Sequence, residues 1–183
     1  MKISPRTVVA TLLMALFALS SVPRVACAQS MEERPGPAPT LLGRDQASAM
    51  LPPTVFFRGQ NASIQGRNSA GLRMNNGKLV LFGLVDTAGY SSALQQTYQA
   101  YLITEVPLSF AGKRLEPGAY GFGFVAGERM VVMDIGGNER LSVATTRDES
   151  LARPNPLQVL PDASSRAFRL YLGRNYVPIS LAE

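Results

Sequence analysis

Short β-prone runs separated by glycine, asparagine and proline fill residues 54–183. This spacing is typical of an antiparallel all-β domain, and helical periodicity is nearly absent from the same stretch. Asn75-Asn76-Gly77 predicts a tight hairpin between two of the runs, because Asn and Gly tolerate the positive φ angles of such turns. We count about ten short strands. They predict an antiparallel β-sandwich around one core, with a closed β-barrel as the alternative.

The run from residue 118 to residue 125 alternates small and aromatic side chains. Because successive side chains of a strand point to opposite faces, Tyr120, Phe122 and Phe124 share one face, and glycines lie on the other. We interpret this aromatic stripe as core. A carbohydrate-binding platform is the alternative, but the chain has no tryptophan, the usual residue for that task.

The first 28 residues have the pattern of a secretory signal peptide. Lys2 and Arg6 precede an apolar run at residues 8–19, and the small residues 26–28 predict cleavage before Gln29. The apolar run is shorter than the roughly 18 to 20 residues that span a bilayer. We therefore expect an exported protein, periplasmic or extracellular, with no membrane span.

Between this leader and the β-prone region, residues 29–53 are rich in proline and show little hydrophobic periodicity. They predict an arm or linker. A single helical turn at residues 46–51 would be too short to be stable unless it packs on the domain. The expected organisation is a signal peptide at 1–28, a proline-rich arm or linker at 29–53 and a β domain at 54–183.

The composition excludes most catalytic chemistry. The chain has no histidine, and its one cysteine, Cys27, leaves with the leader. Serine triads then lack their base, and a metal site would have only oxygen ligands, which need clustered carboxylates. The acids are spread singly along the predicted domain apart from Asp148-Glu149. We expect no metal and no cofactor.

The charge balance does not indicate a nucleic-acid partner. The leader holds three of the 18 Lys+Arg, so 15 remain against 13 Asp+Glu, a net charge of +2. These cations are mostly arginine and are scattered, with no block of like charge. A nucleic-acid-binding domain would concentrate them on one patch or stripe.

Paired carboxylates are the one catalytic device that remains. One stretch after a β-run reads Leu84-Val85-Asp86-Thr87-Ala88-Gly89, and a second reads Leu170-Tyr171-Leu172-Gly173-Arg174-Asn175. They resemble the active-site loop and its supporting segment in retropepsin-like aspartic peptidases, although Ala88 stands where that family has glycine. The resemblance implies that Asp86 pairs with its counterpart in a second chain to activate water. The alternative is an Asx-type turn, in which the carboxylate caps nearby backbone N–H groups.

A second resemblance covers the middle of the domain. It starts at residues 108–110 and continues through Gly112-Lys113-Arg114-Leu115-Glu116-Pro117-Gly118-Ala119-Tyr120-Gly121-Phe122 to residues 130–134. This pattern resembles uncharacterised exported bacterial β-sandwich domains. The resemblance implies a sandwich fold and carries no agreed activity. Pro117-Gly118 is also typical of a turn on physical grounds alone.

We therefore expect a non-catalytic, exported binding or envelope-associated module for a glycan or a peptide. The alternative function is a retropepsin-like peptidase that uses Asp86. Tyr90, Arg73 and Tyr176 are the candidate ligand contacts. Arg67, with Asn68 beside it, is a second arginine that suits an anionic ligand, although scattered arginines are normally solvated or paired.

Overall fold

A computed structural model describes residues 38–163 and 167–182. The signal peptide predicted at 1–28 and residues 29–37 of the predicted arm lie outside the described residues. The described helices are α1 (Arg44–Met50) and α2 (Ser92–Thr97). The described strands are β1 (Thr40–Leu42), β2 (Thr54–Phe57), β3 (Gln60–Arg73), β4 (Leu79–Val85), β5 (Ala100–Thr104), β6 (Leu108–Phe110), β7 (Lys113–Leu115), β8 (Gly118–Val125), β9 (Arg129–Asp134), β10 (Glu139–Ala144), β11 (Thr146–Arg147), β12 (Leu157–Pro161), β13 (Ala167–Leu172) and β14 (Asn175–Leu181).

The strands form two antiparallel sheets, which confirms the all-β sandwich. The larger sheet has the order β1-β3-β4-β5-β8-β9-β10, with β2 paired to the first part of β3. The smaller sheet has the order β12-β13-β14-β6-β7, with β11 beside β14. Both sheets of the described chain end in edge strands, so these residues form a sandwich and not the closed barrel that was the alternative.

The main core lies between the two sheets. Its side chains come from alternate positions of the facing strands, as expected where two sheets pack face to face. Each fully buried aliphatic or aromatic side chain contributes roughly 1.5 to 3 kcal/mol, so this layer dominates stability. Its fully buried members include Val80, Phe82, Leu102, Phe122, Met130 and Val132 of the larger sheet and Leu108, Phe110, Leu170, Val177 and Ile179 of the smaller sheet.

The aromatic stripe of β8 belongs to this core. Phe122 is fully buried, and its ring meets that of Phe82 edge to face at 6.2 Å. Tyr120 and Phe124 are partly buried and pack against the same cluster. The Tyr120 hydroxyl donates a hydrogen bond to the carbonyl of Glu116. The stripe therefore fills the sandwich and is not a carbohydrate platform.

The outer face of the larger sheet carries a second apolar layer. The β2–β3 hairpin and the segment that holds α2 fold over it and bury an aromatic group against β8 and β9. Within this group the rings of Phe57 and Tyr98 stack at 3.9 Å. Burial raises the pKa of Tyr98 well above its ordinary value, so the phenol stays neutral. The central strands of the larger sheet are thus covered on both faces.

Residues 40–51, predicted as part of an arm, belong to the domain. β1 pairs with the end of β3, and Ala47 of α1 and Leu51 just after it pack with Leu42 and Leu81 on the larger sheet. A seven-residue helix is unstable alone and is held here by this packing. The sequence analysis expected a helical turn at residues 46–51 to be stable only if it packs on the domain, and α1 meets that condition.

The hairpin at Asn75-Asn76-Gly77 is confirmed. Met74 donates its N–H to the carbonyl of Lys78 at 2.8 Å, and Gly77 takes a φ of 81° that favours glycine. At the opposite edge, the Lys113 ammonium donates to the carbonyl of Ser142 at 2.7 Å and ties the edge strand β7 to the edge strand β10. Neither described helix has the length and apolar character needed to cross a bilayer.

Gly121→Ala should destabilise the fold. A Cβ at this position would lie 2.5 Å from a ring carbon of Phe57 and 2.8 Å from one of Tyr98, and the two stacked rings have little room to move. Overpacking of this kind costs about 2 kcal/mol. Urea unfolding of the variant and the wild type measures the difference.

Gly89→Ala is the matched control, because its Cβ would meet nothing closer than the Gln60 side chain at 3.5 Å. Its free energy of unfolding should stay within about 0.5 kcal/mol of the wild type. Equal costs for the two variants would contradict the close approach of the rings to β8.

Candidate functional site

Asp86 lies in an exposed turn after β4. Its carboxylate Oδ1 accepts the backbone N–H of Ala88 at 3.1 Å, and its own N–H donates to the carbonyl of Ser63. This is the geometry of an Asx-type turn. The carboxylate therefore caps its own turn, as the alternative interpretation expected.

Residues 170–175 resembled the segment that supports the active-site loop of aspartic peptidases. In this structure they contact the loop at residues 149–151. Arg174 lies in the turn between β13 and β14 of the smaller sheet, whereas Asp86 follows β4 of the larger sheet. The Arg174 guanidinium donates to the carbonyl of Leu151 at 2.6 Å. It anchors residues 149–151, so its contacts do not reproduce the arrangement that the resemblance implied.

Tyr90, a predicted ligand contact, lies in the apolar layer on the outer face of the larger sheet. Its side chain is 6% exposed, and its hydroxyl points at the carbonyl oxygens of Phe57 and Gln60, at 3.1 and 3.2 Å. Burial raises the pKa of Tyr90. The position faces inward because the loop after β4 folds back over the larger sheet and supplies bulk to its outer face.

Tyr176 is partly exposed on the outer face of the smaller sheet. The guanidinium of Arg169 lies over its ring at 4.8 Å, and the ring of Tyr171 lies 5.1 Å away. Arg169 also pairs with Asp162 at 2.7 Å. One face of Tyr176 is thus already occupied by a cation that has its own carboxylate partner.

Arg73 is exposed at the end of β3, and its guanidinium lies 3.8 Å from the Met50 sulfur. It lies outside a cleft between the two sheets that is lined by Arg67 and Asn68. The structure therefore separates the two arginines that the sequence analysis grouped, and Arg73 serves as a reference for an arginine outside the cleft.

A bulge in β3 presents Arg67 and Asn68. The pairing of β3 with β4 shifts register between Ile64 and Ser69, so the intervening residues leave the ladder. Ser69 closes the bulge by donating its hydroxyl to the carbonyl of Gly66 at 2.6 Å. The amide of Asn68 donates to the side chain of Gln65. Bulges of this kind re-aim side chains and are frequent beside functional sites.

These residues form one wall of a cleft of about 300 Å³ between the two sheets, here called the inter-sheet cleft. Leu41 at the edge of the larger sheet and Arg44 at the start of α1 extend the same wall. The opposite wall is the edge strand β12 with Asn155 before it. The lining residues are Leu41, Leu42, Gly43, Arg44, Arg67, Asn68, Ser69, Ala70, Asn155, Leu157, Gln158, Val159 and Leu160.

The inter-sheet cleft is lined by two arginines. Arg44 and Arg67 are both exposed, and within the described part of the chain neither forms an ion pair. The Gln158 side chain accepts from Asn155 through Oε1 at 3.0 Å. Its Nε2 is buried and has no hydrogen-bond partner among the described residues. With so little accessible surface, this Nε2 does not face a ligand, and the exposed guanidinium groups of Arg44 and Arg67 are what favour an anionic ligand.

Two contacts hold the loop that leads into β12. Tyr171 donates its hydroxyl to the Asp148 carboxylate at 2.8 Å, and Ser150 donates to the same carboxylate. The hydrogen bonds from Ser150 and then Tyr171 lower the pKa of Asp148. With the bond from Arg174 to Leu151, they fix the segment that carries Asn155 to the cleft.

The described residues contain no cluster of three or more His, Cys, Asp or Glu side chains suited to a metal ion. No protein-family model, curated protein or solved structure matches this chain. The cleft is therefore interpreted from its own chemistry.

Sequence reasoning found Arg67 and Asn68 but missed Arg44, Asn155 and Gln158. Arg44 lay in the predicted arm, and the other two lie about ninety residues further along the chain than Arg67, so only the packing of two sheets brings them together. The sequence signal that could have pointed to this wall is the pair of polar residues, Asn155 and Gln158, around the start of β12.

Tyr171→Phe should destabilise the protein above pH 4 more than in stronger acid. The pKa of Asp148 is lowered in the folded state, so its contribution is full above the ordinary aspartate pKa of about 3.9 and is lost as the pH falls through the lower folded value. Urea unfolding over a pH series measures this. Tyr120→Phe, which loses a bond to a backbone carbonyl, should show a cost that does not depend on pH.

Proposed function

We propose that this chain is an exported, non-catalytic β-sandwich module that binds an anionic ligand in the inter-sheet cleft. One observation carries the proposal: Arg44 and Arg67, both exposed and without an ion-pair partner among the described residues, line the same cleft. Hydrogen bonds from a guanidinium to a carboxylate are stronger than neutral ones and often bidentate. A ligand with a carboxylate would pair with the two guanidinium groups on one wall of the cleft.

The non-catalytic part is supported by composition and by Asp86. The chain has no histidine, and its cysteine falls in the predicted leader. The carboxylate of Asp86, the candidate catalytic group, accepts a backbone N–H of its own turn. The residues of the inter-sheet cleft include no acid or base with an ordinary pKa near neutral pH. Binding is what such a set of side chains does well.

The export part is supported by the leader pattern of residues 1–28. After export from a bacterial host, N-terminal sequencing of the purified protein should begin at Gln29, because Ala26 and Ala28 supply the small residues that signal peptidase needs. Ala28→Phe should leave the leader attached. A purified wild-type protein that still starts in the first 28 residues, or that carries a lipid on Cys27, would contradict cleavage at this site.

Binding is tested with two anionic probes of different chemistry. One is digalacturonate, and the other is a pool of pentapeptides randomised at four positions with aspartate at the C-terminus. Nitrogen–proton correlation spectra should show shifts in the side-chain N–H signals of Arg44 and Arg67 with at least one probe. Arg67→Gln should weaken that binding by about tenfold or more, since a hydrogen bond to a charged group contributes roughly 1.5 to 3 kcal/mol.

Arg73→Gln is the matched control, because Arg73 lies on the same strand as Arg67 but outside the cleft. It should leave the affinity unchanged. Equal losses in the two variants would show that net charge, and not the cleft, attracts the probes. If neither probe shifts either arginine signal, the proposed function fails.

A further inference from the structure

A ligand in the inter-sheet cleft must be recognised by side chains. Leu157 and Val159 of the edge strand β12 are each 3% exposed, and β12 lies in contact with β3 and β1. The backbone edge of this wall is therefore closed to a ligand. The exposed and half-buried side chains of the lining decide what the cleft binds.

Each wall of the cleft carries one asparagine that is held by a glutamine. On the β3 side, the Asn68 side chain donates an N–H to Oε1 of Gln65 at 2.9 Å. On the β12 side, the Asn155 side chain donates an N–H to Oε1 of Gln158 at 3.0 Å. In both pairs the glutamine is three residues away in the sequence, so a local hydrogen bond orients each asparagine amide.

These bonds leave hydrogen-bonding capacity at both asparagines. A carboxamide has two N–H donors and an oxygen that accepts. Within the described part of the chain, Asn68 and Asn155 each use one N–H in their own wall, which leaves the second N–H and the Oδ1. Asn155 is exposed and Asn68 is half-buried, so a ligand can reach both amides. A hydroxyl group, which donates and accepts at one atom, complements such an amide.

The positive charge of the cleft lies on one wall only. Arg44 and Arg67 are on the same wall as Asn68, whereas the lining residues of the β12 wall carry no charge. A carboxylic acid without hydroxyls would leave the two amides unused, and a neutral sugar would leave the two guanidinium groups unused. The set of side chains therefore favours one molecule that has both kinds of group.

We infer that the anionic ligand is a polyhydroxylated carboxylic acid of the uronic-acid class, with its carboxylate at Arg44 and Arg67 and its hydroxyls at Asn68 and Asn155. This inference rests on the proposed function and names its ligand class. The carboxylate accepts charge-assisted hydrogen bonds from the guanidinium groups, and the ring hydroxyls exchange hydrogen bonds with the amides.

The size and the apolar surface of the cleft fit a sugar ring. A volume of about 300 Å³ corresponds to about ten water molecules, which is room for one such ring. Leu41 is 39% exposed and Leu160 is half-buried, so both present aliphatic surface to the cleft. The C–H groups of a sugar ring can pack on that surface while its hydroxyls and carboxylate bind the polar side chains.

The first test compares three ring compounds by NMR titration of the purified protein. Galacturonate has the carboxylate and the hydroxyls, cyclohexanecarboxylate has the carboxylate alone, and galacturonate methyl ester has the hydroxyls without the charge. Galacturonate should bind about tenfold or more tightly than either, since each comparison compound loses more than one hydrogen bond. Equal affinity for galacturonate and cyclohexanecarboxylate would overturn the inference.

The second test locates the hydroxyls on the β12 wall. Asn155→Ala should weaken galacturonate binding by about fivefold, because it removes a neutral hydrogen-bonding group, and should leave cyclohexanecarboxylate binding unchanged. Asn61→Ala is the matched control, because Asn61 is also exposed but lies outside the cleft. It should change neither affinity. If Asn155→Ala affects both acids equally, or affects neither, the inference is wrong.

The probes of the proposed function separate the two failures. If the peptides ending in aspartate shift the side-chain signals of Arg44 and Arg67 while digalacturonate and galacturonate do not, the cleft binds anions and the uronic-acid inference falls alone. If no anionic probe shifts these signals, both fall together.

Discussion

The larger sheet must be covered on both faces, and the rest of the architecture follows from that constraint. Its central strands carry buried side chains at nearly every position, as in β9, where Met130 to Met133 are all buried. Alternate residues of such strands face opposite ways, so one sheet cannot hide them all. The smaller sheet covers one face, and short accessory elements cover the other.

The accessory layer accounts for the cleft. β3 pairs with β2 over its first residues and with β4 and β1 over its last ones. The bulge between Ile64 and Ser69 lies where it passes from one set of partners to the other. A segment that leaves its ladder exposes its side chains, and here these are Arg67 and Asn68. The bulge that lets β3 pair in both layers therefore also places Arg67 in the wall of the inter-sheet cleft.

The fold class could be predicted because it depends on local sequence patterns. The hairpin at Asn75-Asn76-Gly77 needs only the φ tolerance of its own residues, and the β8 stripe needs only the alternation of a strand. The orientation of Tyr90 needs knowledge of which loop covers the outer face, and the unmet amide of Gln158 needs the position of a strand from another sheet. Neither contact joins residues that are close in the sequence. The burial of Tyr90 and the position of Gln158 in the cleft therefore could not be predicted from local patterns.

The hydrogen bond from Lys113 to Ser142 links the two sheets of the sandwich. It joins the two sheets along the β7 and β10 side, and on the other side β12 lies in contact with β3 and β1 beside the inter-sheet cleft. A ligand in the inter-sheet cleft would contact both sheets, so its binding would raise the melting temperature of the protein as well as occupy the cleft.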